Sequence, residues 1–129
     1  MCTAFSNLQN INRARRDPEV VRAESERARV HLRWRCKLYR KQLERNAYLS
    51  HEHPAYATSW KTPEVVEVLA MKGVSRIVAD PCQLGQQTDS SEPLKKPAGF
   101  MSKASELLKE LDRRCFVRHG LCSRPKGGG

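Results

Sequence analysis

Helix-like and strand-like segments alternate along this chain of 129 residues, which predicts an α/β protein. Proline and polar caps precede the helices, and the first helix is long. A doubly wound sheet normally begins with a strand and a Gly-rich turn. This chain has no G-x-G-x-x-G and begins in irregular sequence. We therefore expect an incomplete Rossmann-like fold, resembling the C-terminal half of a larger domain, with few strands paired in parallel and about three helices.

The first helix is predicted from residue 17 to about residue 45. Asp17 is a good N-cap, Pro18 suits the first helical position and Glu19 favours the helix dipole. Apolar residues recur at steps of three, four or seven and form one stripe, made of Val21, Ala28, Leu32, Cys36, Tyr39 and Leu43. We interpret most of the arginines and lysines on the other faces as a solvated surface, with a few available to phosphate.

The middle of the chain predicts a strand, a helix and a second strand. Residues 47–53 form the first strand, which Pro54 ends because proline cannot donate to a ladder. Thr62 caps the helix, and Gly73 stops it. Its buried side is expected to consist of Val65, Val66, Val68, Leu69 and Met71. Residues 74–79 form the second strand.

The C-terminal part predicts a polar loop at residues 86–95, a third strand at 98–102 and a last helix at about 103–115. Ser102 is the expected cap of this helix. Its inward residues are expected to be Leu107, Leu108 and Leu111. We expect one domain over residues 1–122 and a disordered tail over 123–129.

The balance of charge indicates a polyanionic partner. Lysine and arginine number 24 against 14 acidic residues, so the net charge is +10. This favours DNA or RNA as the partner over an acidic membrane. The basic cluster Arg13, Arg15 and Arg16 is a candidate phosphate-binding site.

No apolar run is long enough to span a bilayer and no signal-peptide core is present, so we expect an intracellular protein, in the nucleus or cytoplasm.

The stretch LSHEHPAYATSW, residues 49–60, contains the unusual triplet His51, Glu52 and His53. Side chains alternate along a strand, so both imidazoles should lie on the same side. Together with Cys115, His119 and Cys122 they offer enough ligands for a structural zinc, although the spacing fits no standard finger. The five cysteines are an odd number without paired spacing, which predicts free thiols rather than disulfides.

Several short motifs resemble the C5-cytosine methyltransferases. MCTAFSNLQ is similar to the catalytic loop of that family, with Cys2 at the nucleophile and Met1 at the usual proline. LSHEHP resembles its next motif, in which divergent members read Glu-Asn-Pro and His53 here replaces the asparagine. CQLG and KKPAGFMS resemble later motifs, with Ala98 in place of a threonine. The whole run is also similar to a segment of retrotransposon-like polyproteins.

The resemblance implies a cysteine thiolate, Cys2, that adds to C6 of cytosine while Glu52 holds and protonates the ring at N3. Lys95 or Lys96 then stands where the family keeps basic residues near the active site. The family binds S-adenosylmethionine in strands that precede the cysteine loop. We therefore expect no cofactor and no methyl transfer from this chain alone, unless a partner chain supplies the donor half.

Two functional hypotheses remain open. The first is a truncated methyltransferase-like fragment of a mobile element, inactive alone and able to contact nucleic acid. The second is a basic interaction module without enzymatic activity, whose long helix binds nucleic acid or a partner protein and whose HEH cluster is incidental or clips a zinc ion. An exposed sheet edge where the missing strands belong predicts self-association or aggregation.

Overall fold

The computed structural model describes residues 3–6, 11–91, 93 and 96–115. The regular elements are helix α1 (Pro18–Glu44), strand β1 (Ser50–Pro54), helix α2 (Pro63–Leu69), strand β2 (Ser75–Ala79), strand β3 (Ala98–Ser102) and helix α3 (Ser105–Leu111). Three short 3-10 turns lie at Thr3–Phe5, Thr58–Lys61 and Pro81–Leu84. The fold is therefore mixed α/β, as the alternation of segments predicts. The expected domain end at residue 122 and the tail lie outside the described residues.

The three strands form one sheet in the order β1-β3-β2, and β3 is antiparallel to both neighbours. Strands β1 and β2 consequently run parallel to each other, with α2 between them in the sequence and β3 between them in the sheet. This arrangement is a split β-α-β unit. The expectation of parallel hydrogen-bonded pairs was wrong, because alternation of helices and strands does not determine which strands become neighbours. The Rossmann-like half-fold is not confirmed.

Helix α1 begins as its sequence predicts. The Asp17 carboxylate accepts a hydrogen bond from the backbone N–H of Glu19 at 2.9 Å, which satisfies one of the unpaired donors of the first turn. The predicted apolar stripe is the buried side, with Ala28, Leu32 and Cys36 each at most 7% exposed. The stripe packs α1 against the rest of the core.

Ion pairs connect α1 to α2. The Glu64 carboxylate lies 3.1 Å from Nε of Arg33 and 3.9 Å from Nε of Arg29, and Arg40 pairs with Glu67. The Arg40–Glu67 pair is exposed, and exposed pairs contribute about 0–1 kcal/mol each. The three pairs link α2 to α1, and they occupy cations that the sequence assigned to a solvated face.

The start of α3 differs from the expectation. Ser102 is the last residue of β3, and the helix begins at Ser105 after Ala104, which makes no side-chain cap. The Ser102 hydroxyl instead donates to the carbonyl of Leu49 at 2.6 Å and accepts from the N–H of Ala104 at 3.0 Å. It therefore links the end of β3 to the segment that enters β1.

The second helix also departs from the expectation at its cap and on one face. Thr62 occupies the N-cap position of α2, but its hydroxyl donates to the carbonyl of Ser59 at 2.7 Å and makes no cap bond. Val65 and Val68 are buried, whereas Val66 is 49% exposed. In α3 the same pattern holds, since Leu108 is buried and Leu107 is 41% exposed. Short helices of two turns bury a narrow stripe only.

The core lies between α1, α2 and one face of the sheet. Its buried members come from four different segments and are Leu32, Cys36, Leu49, Val65, Val68 and Met101. Trp60 packs beside this cluster and lies over Gly99 of the central strand. A Cβ atom at Gly99 would come within 2.7 Å of Cζ2 of Trp60, so the absence of a side chain allows the indole to approach the strand.

Asp80 is 1% exposed and anchors the segment that follows α3. Its Oδ2 atom accepts from the backbone N–H of Cys115 at 2.7 Å and lies 3.4 Å from Nε of Arg114. The N–H of Asp80 donates to the carbonyl of Arg113 at 2.8 Å. These contacts hold residues 113–115 against the end of β2.

In the described part of the chain, no helix has the length and apolar content needed to cross a membrane.

Replacing Gly99 with alanine is expected to destabilise the protein by about 1–3 kcal/mol, because the added methyl group must displace the Trp60 ring. Urea unfolding followed by circular dichroism measures this change. The control is Ser75→Ala, at an exposed position of an edge strand, where a change within about 0.5 kcal/mol is expected. Equal stability of Gly99→Ala and the wild type would contradict the close packing of Trp60 on β3.

Candidate nucleobase pocket

Strand β1 presents different side chains to the two faces of the sheet. His51 and His53 are buried and point to the face that α1 and α2 cover, whereas Ser50 and Glu52 are exposed on the other face. Glu52 is paired with Phe100 of β3, so the two residues share a face. The prediction that both imidazoles lie on one side of a strand is confirmed.

An open pocket of about 390 Å³ lies on the Glu52 face. Its floor comes from β1 and β3, and its walls come from the turn after β2 and from the segment that enters β3. Its lining residues are Glu52, Pro54, Pro81, Leu84, Gln86, Lys96, Pro97, Ala98 and Phe100. Two motifs that the sequence singles out, HEHP and KKPAGF, thus meet at one pocket.

The composition of the pocket suits a planar, polar ligand. Phe100, Pro54 and Pro97 provide flat apolar surfaces, and Glu52 and Lys96 provide one group of each charge. Aromatic rings stack on nucleobases, a carboxyl group bonds to a base edge, and an ammonium group attracts phosphate. The geometry can therefore hold a base flanked by a phosphate.

The turn Pro81–Leu84 shapes one wall. It ends at Gly85, whose φ of 85° lies in the left-handed region that favours glycine. Pro81 and Leu84 line the pocket from this turn, and Gln86 follows it. The sequence singles out the CQLG motif but not Gln86, because a glutamine in a polar loop carries no periodic or spacing signal.

The opposite face of β1 holds a cluster of buried rings. The Tyr39 hydroxyl and Nδ1 of His51 are 3.0 Å apart. The His51 ring meets the Trp60 ring edge-on, with centroids 5.2 Å apart. The centroids of the His51 and His53 rings are 6.0 Å apart. Phe5 contacts His53 edge-on at 6.2 Å. This cluster ties α1, β1 and the turn before α2 together.

Burial keeps both histidines neutral near pH 7. Burial lowers the pKa of His51 to about 4, with a smaller contribution from the neighbouring His53, and burial also lowers the pKa of His53. Nε2 of His51 and Nδ1 of His53 have no hydrogen-bond partner among the described residues. The pair is therefore packed as part of the core and does not face the Glu52 pocket.

A metal site is not assembled in the described part of the chain, where no three histidine, cysteine or acidic side chains converge. Of the suggested zinc ligands, His51 and His53 lie in the core, and Cys115 lies beyond α3, where its backbone N–H is bound to Asp80. His119 and Cys122 lie outside the described residues.

The other residues that the sequence nominates have different outcomes. Lys96 lines the pocket together with Glu52. Arg13 and Arg15 are exposed, and Arg16 forms an ion pair with Glu24 at 2.7 Å. The proposed nucleophile Cys2 lies outside the described residues. So does Lys95, the alternative to Lys96 as the basic residue near the active site. Phe5, which belongs to the same sequence motif as Cys2, contacts the sheet face opposite to Glu52.

A stacked cation beside Trp60 was not foreseen from the sequence. The guanidinium of Arg76 lies 4.2 Å from the Trp60 ring centre and donates to the carbonyl of Ala55 at 2.6 Å. Arg76 sits on β2 next to Met101 in the register, so it covers the sheet face on which Trp60 packs. No sequence signal links these residues, because Ala55, Trp60 and Arg76 lie in separate segments that only the tertiary structure brings together.

The chain matches no protein-family model, no curated protein and no solved structure.

The buried histidines predict a loss of stability in acid. Well above pH 6.5 His51 is neutral in both the folded and the unfolded state, so it does not change the free energy of unfolding there. As the pH falls from about 6.5 to about 4, His51 becomes protonated in the unfolded chain but stays neutral in the folded chain. The free energy of unfolding therefore decreases by up to about 1.4 kcal/mol per pH unit. Urea unfolding at several pH values measures the slope.

His51→Gln keeps a polar partner for Tyr39 and should flatten this slope, while His31→Gln, at an exposed position of α1, should leave it unchanged. Comparing each variant with the wild type removes the shared contribution of the carboxylates. An identical slope in wild type and His51→Gln would show that His51 takes no part in the acid sensitivity.

Proposed function

We propose that this chain is a cytosine-methyltransferase-like segment, of the kind found in mobile elements, and that its Glu52 pocket receives a nucleobase. The observation that carries the proposal is the joint lining of one pocket by Glu52, Pro54, Lys96 and Pro97. These residues belong to two motifs that are far apart in the sequence and that each resemble the same family. If both motifs descend from one methyltransferase-like ancestor, their residues should lie together in space, and they line the same pocket.

The Rossmann-like assignment of the fold is part of this proposal, since the described sheet by itself establishes a mixed α/β fold in which β3 is antiparallel to both neighbours.

The proposed chemistry is recognition of cytosine outside the base stack. An oxygen of the Glu52 carboxyl group accepts a hydrogen bond from the N4 amino group of the cytosine ring, Phe100 packs against the ring face, and Lys96 contacts an adjacent phosphate. A single-stranded ligand suits the pocket better than a duplex, because its bases are already accessible. The net charge of +10 favours the approach of such a polyanion.

The proposal covers binding of the base and not methyl transfer. Two supporting positions differ from the family pattern in ways that weaken the site. Ala98 lines the pocket with a methyl group where the family has a threonine hydroxyl. His53, which replaces the family's asparagine, is buried on the opposite face of β1 and contributes no polar group to the pocket. A base held loosely by about 1 Å reacts on the order of a hundredfold more slowly.

A basic interaction module is the alternative function, and one observation favours it. The outer side of α1 carries exposed cations and apolar side chains in one patch, described in the next subsection. This patch does not include Glu52 or any other residue of the pocket, so the two functions are separable by mutation.

Replacing Glu52 with alanine is expected to weaken binding of a single-stranded oligomer that contains one cytosine in a thymidine background by about 1–3 kcal/mol. The physical reason is the loss of the carboxyl group that bonds to the base edge. Fluorescence anisotropy with labelled oligomers measures the dissociation constants, and an all-thymidine oligomer should be affected much less.

The matched control is Glu106→Ala, which removes the same charge from an exposed position of α3. It should raise the affinity for both oligomers slightly, because it increases the net positive charge. If the wild type shows no preference for the cytosine oligomer, or if Glu52→Ala keeps that preference, the pocket does not recognise cytosine and the proposal fails.

A further inference from the structure

The side of α1 that points away from the core carries an unusual combination of residues. We define the outer face of α1 as Arg27, Val30, Trp34, Lys37, Leu38 and Lys41, together with Arg45 at the C-cap of the helix. At 3.6 residues per turn these positions lie opposite the buried stripe that contains Ala28, Leu32 and Cys36. The face extends for about 27 Å along the helix, at 1.5 Å per residue.

Large apolar side chains are exposed on this face. Trp34 is 59% exposed, Val30 55% and Leu38 40%, and they follow one another at intervals of four residues. A single exposed apolar residue is ordinary, but a row of them that includes a tryptophan indicates a binding surface. Trp60, by contrast, is packed into the core, so Trp34 is the solvent-facing tryptophan of the chain.

The cations of the outer face are available to a ligand. None of Arg27, Lys37, Lys41 and Arg45 makes an ion pair among the described residues. The cations on the flank of α1 differ in this respect, since Arg29, Arg33 and Arg40 pair with Glu64 or Glu67 of α2. The fold thus neutralises one side of the helix and leaves the other side positive.

We propose that the outer face of α1 binds single-stranded nucleic acid. Trp34 stacks on an unpaired base, Val30 and Leu38 pack beside it, and the cations contact the flanking phosphates. A second copy of this chain fits less well, because the face carries four cations and no acidic residue, with Glu26 and Glu44 at its border, so two such faces would repel each other. A single strand fits better than a duplex, because a duplex hides the base faces on which tryptophan stacks.

This site is separate from the Glu52 pocket. Helix α1 covers the sheet face that carries His51, through Tyr39, and its outer face points further away from the sheet. Glu52 and its pocket lie on the other sheet face. The inference therefore does not depend on the proposed recognition of cytosine, and an oligomer without cytosine tests it alone.

The first test uses the full chain and a fluorescein-labelled oligothymidine over a range of salt concentrations. The variant Arg27→Gln/Lys37→Gln/Lys41→Gln removes three cations from the face. We expect the slope of log affinity against log salt to fall by about 2, since each phosphate contact to a single strand contributes about 0.7. The matched control Lys61→Gln/Lys72→Gln/Lys109→Gln removes the same charge elsewhere on the surface and should keep the wild-type slope.

The second test isolates stacking. Trp34→Gln should weaken oligothymidine binding roughly tenfold or more, and Trp34→Phe should restore most of it, because phenylalanine retains an aromatic face. Circular dichroism confirms that each variant keeps its helix content, as expected for an exposed position.

Two results would overturn the inference. One is an equal loss of slope in both triple variants, which would mean that only total charge matters. The other is unchanged oligothymidine affinity of Trp34→Gln, which would show that no base stacks on Trp34. Equally tight binding of a polyglutamate peptide would then assign the face to an acidic protein instead.

Discussion

The antiparallel pairing of β3 with both edge strands is the interaction on which the rest of the structure depends. Strands β1 and β2 are not hydrogen-bonded neighbours, and β3 joins them in one sheet. The register places Glu52 beside Phe100 and His51 beside Met101. One hydrogen-bonded ladder therefore determines both the composition of the core and the floor of the pocket.

The alternation of side chains along β1 separates packing from chemistry. The two histidines enter the core, where desolvation keeps them neutral, and Glu52 remains at the surface beside Lys96 and Phe100. In the HEH triplet, Glu52 therefore faces the pocket, whereas His51 and His53 on either side of it face the core. A shift of register by one residue would exchange these roles, and it would place a carboxylate in the apolar interior.

Charge is distributed with a similar division of roles. Arginines on one flank of α1 pair with glutamates of α2, whereas the cations of the outer face form no such pairs among the described residues. The proposed base pocket and the outer face of α1 lie on opposite sides of the sheet. A nucleic acid that reaches both would have to pass around an edge of the molecule, which a flexible single strand can do.

Local features were determined by the sequence itself. The cap at Asp17, the buried stripe of α1 and the shared orientation of His51 and His53 follow from periods of 3.6 and 2, which act over a few residues. Features that join distant segments were decided by the tertiary structure alone: the insertion of β3, the meeting of Glu52 with Lys96, and the Trp60 ring over Gly99. Periodicity contains no information about which strands become neighbours, because that choice depends on burial and hydrogen bonding over the whole chain.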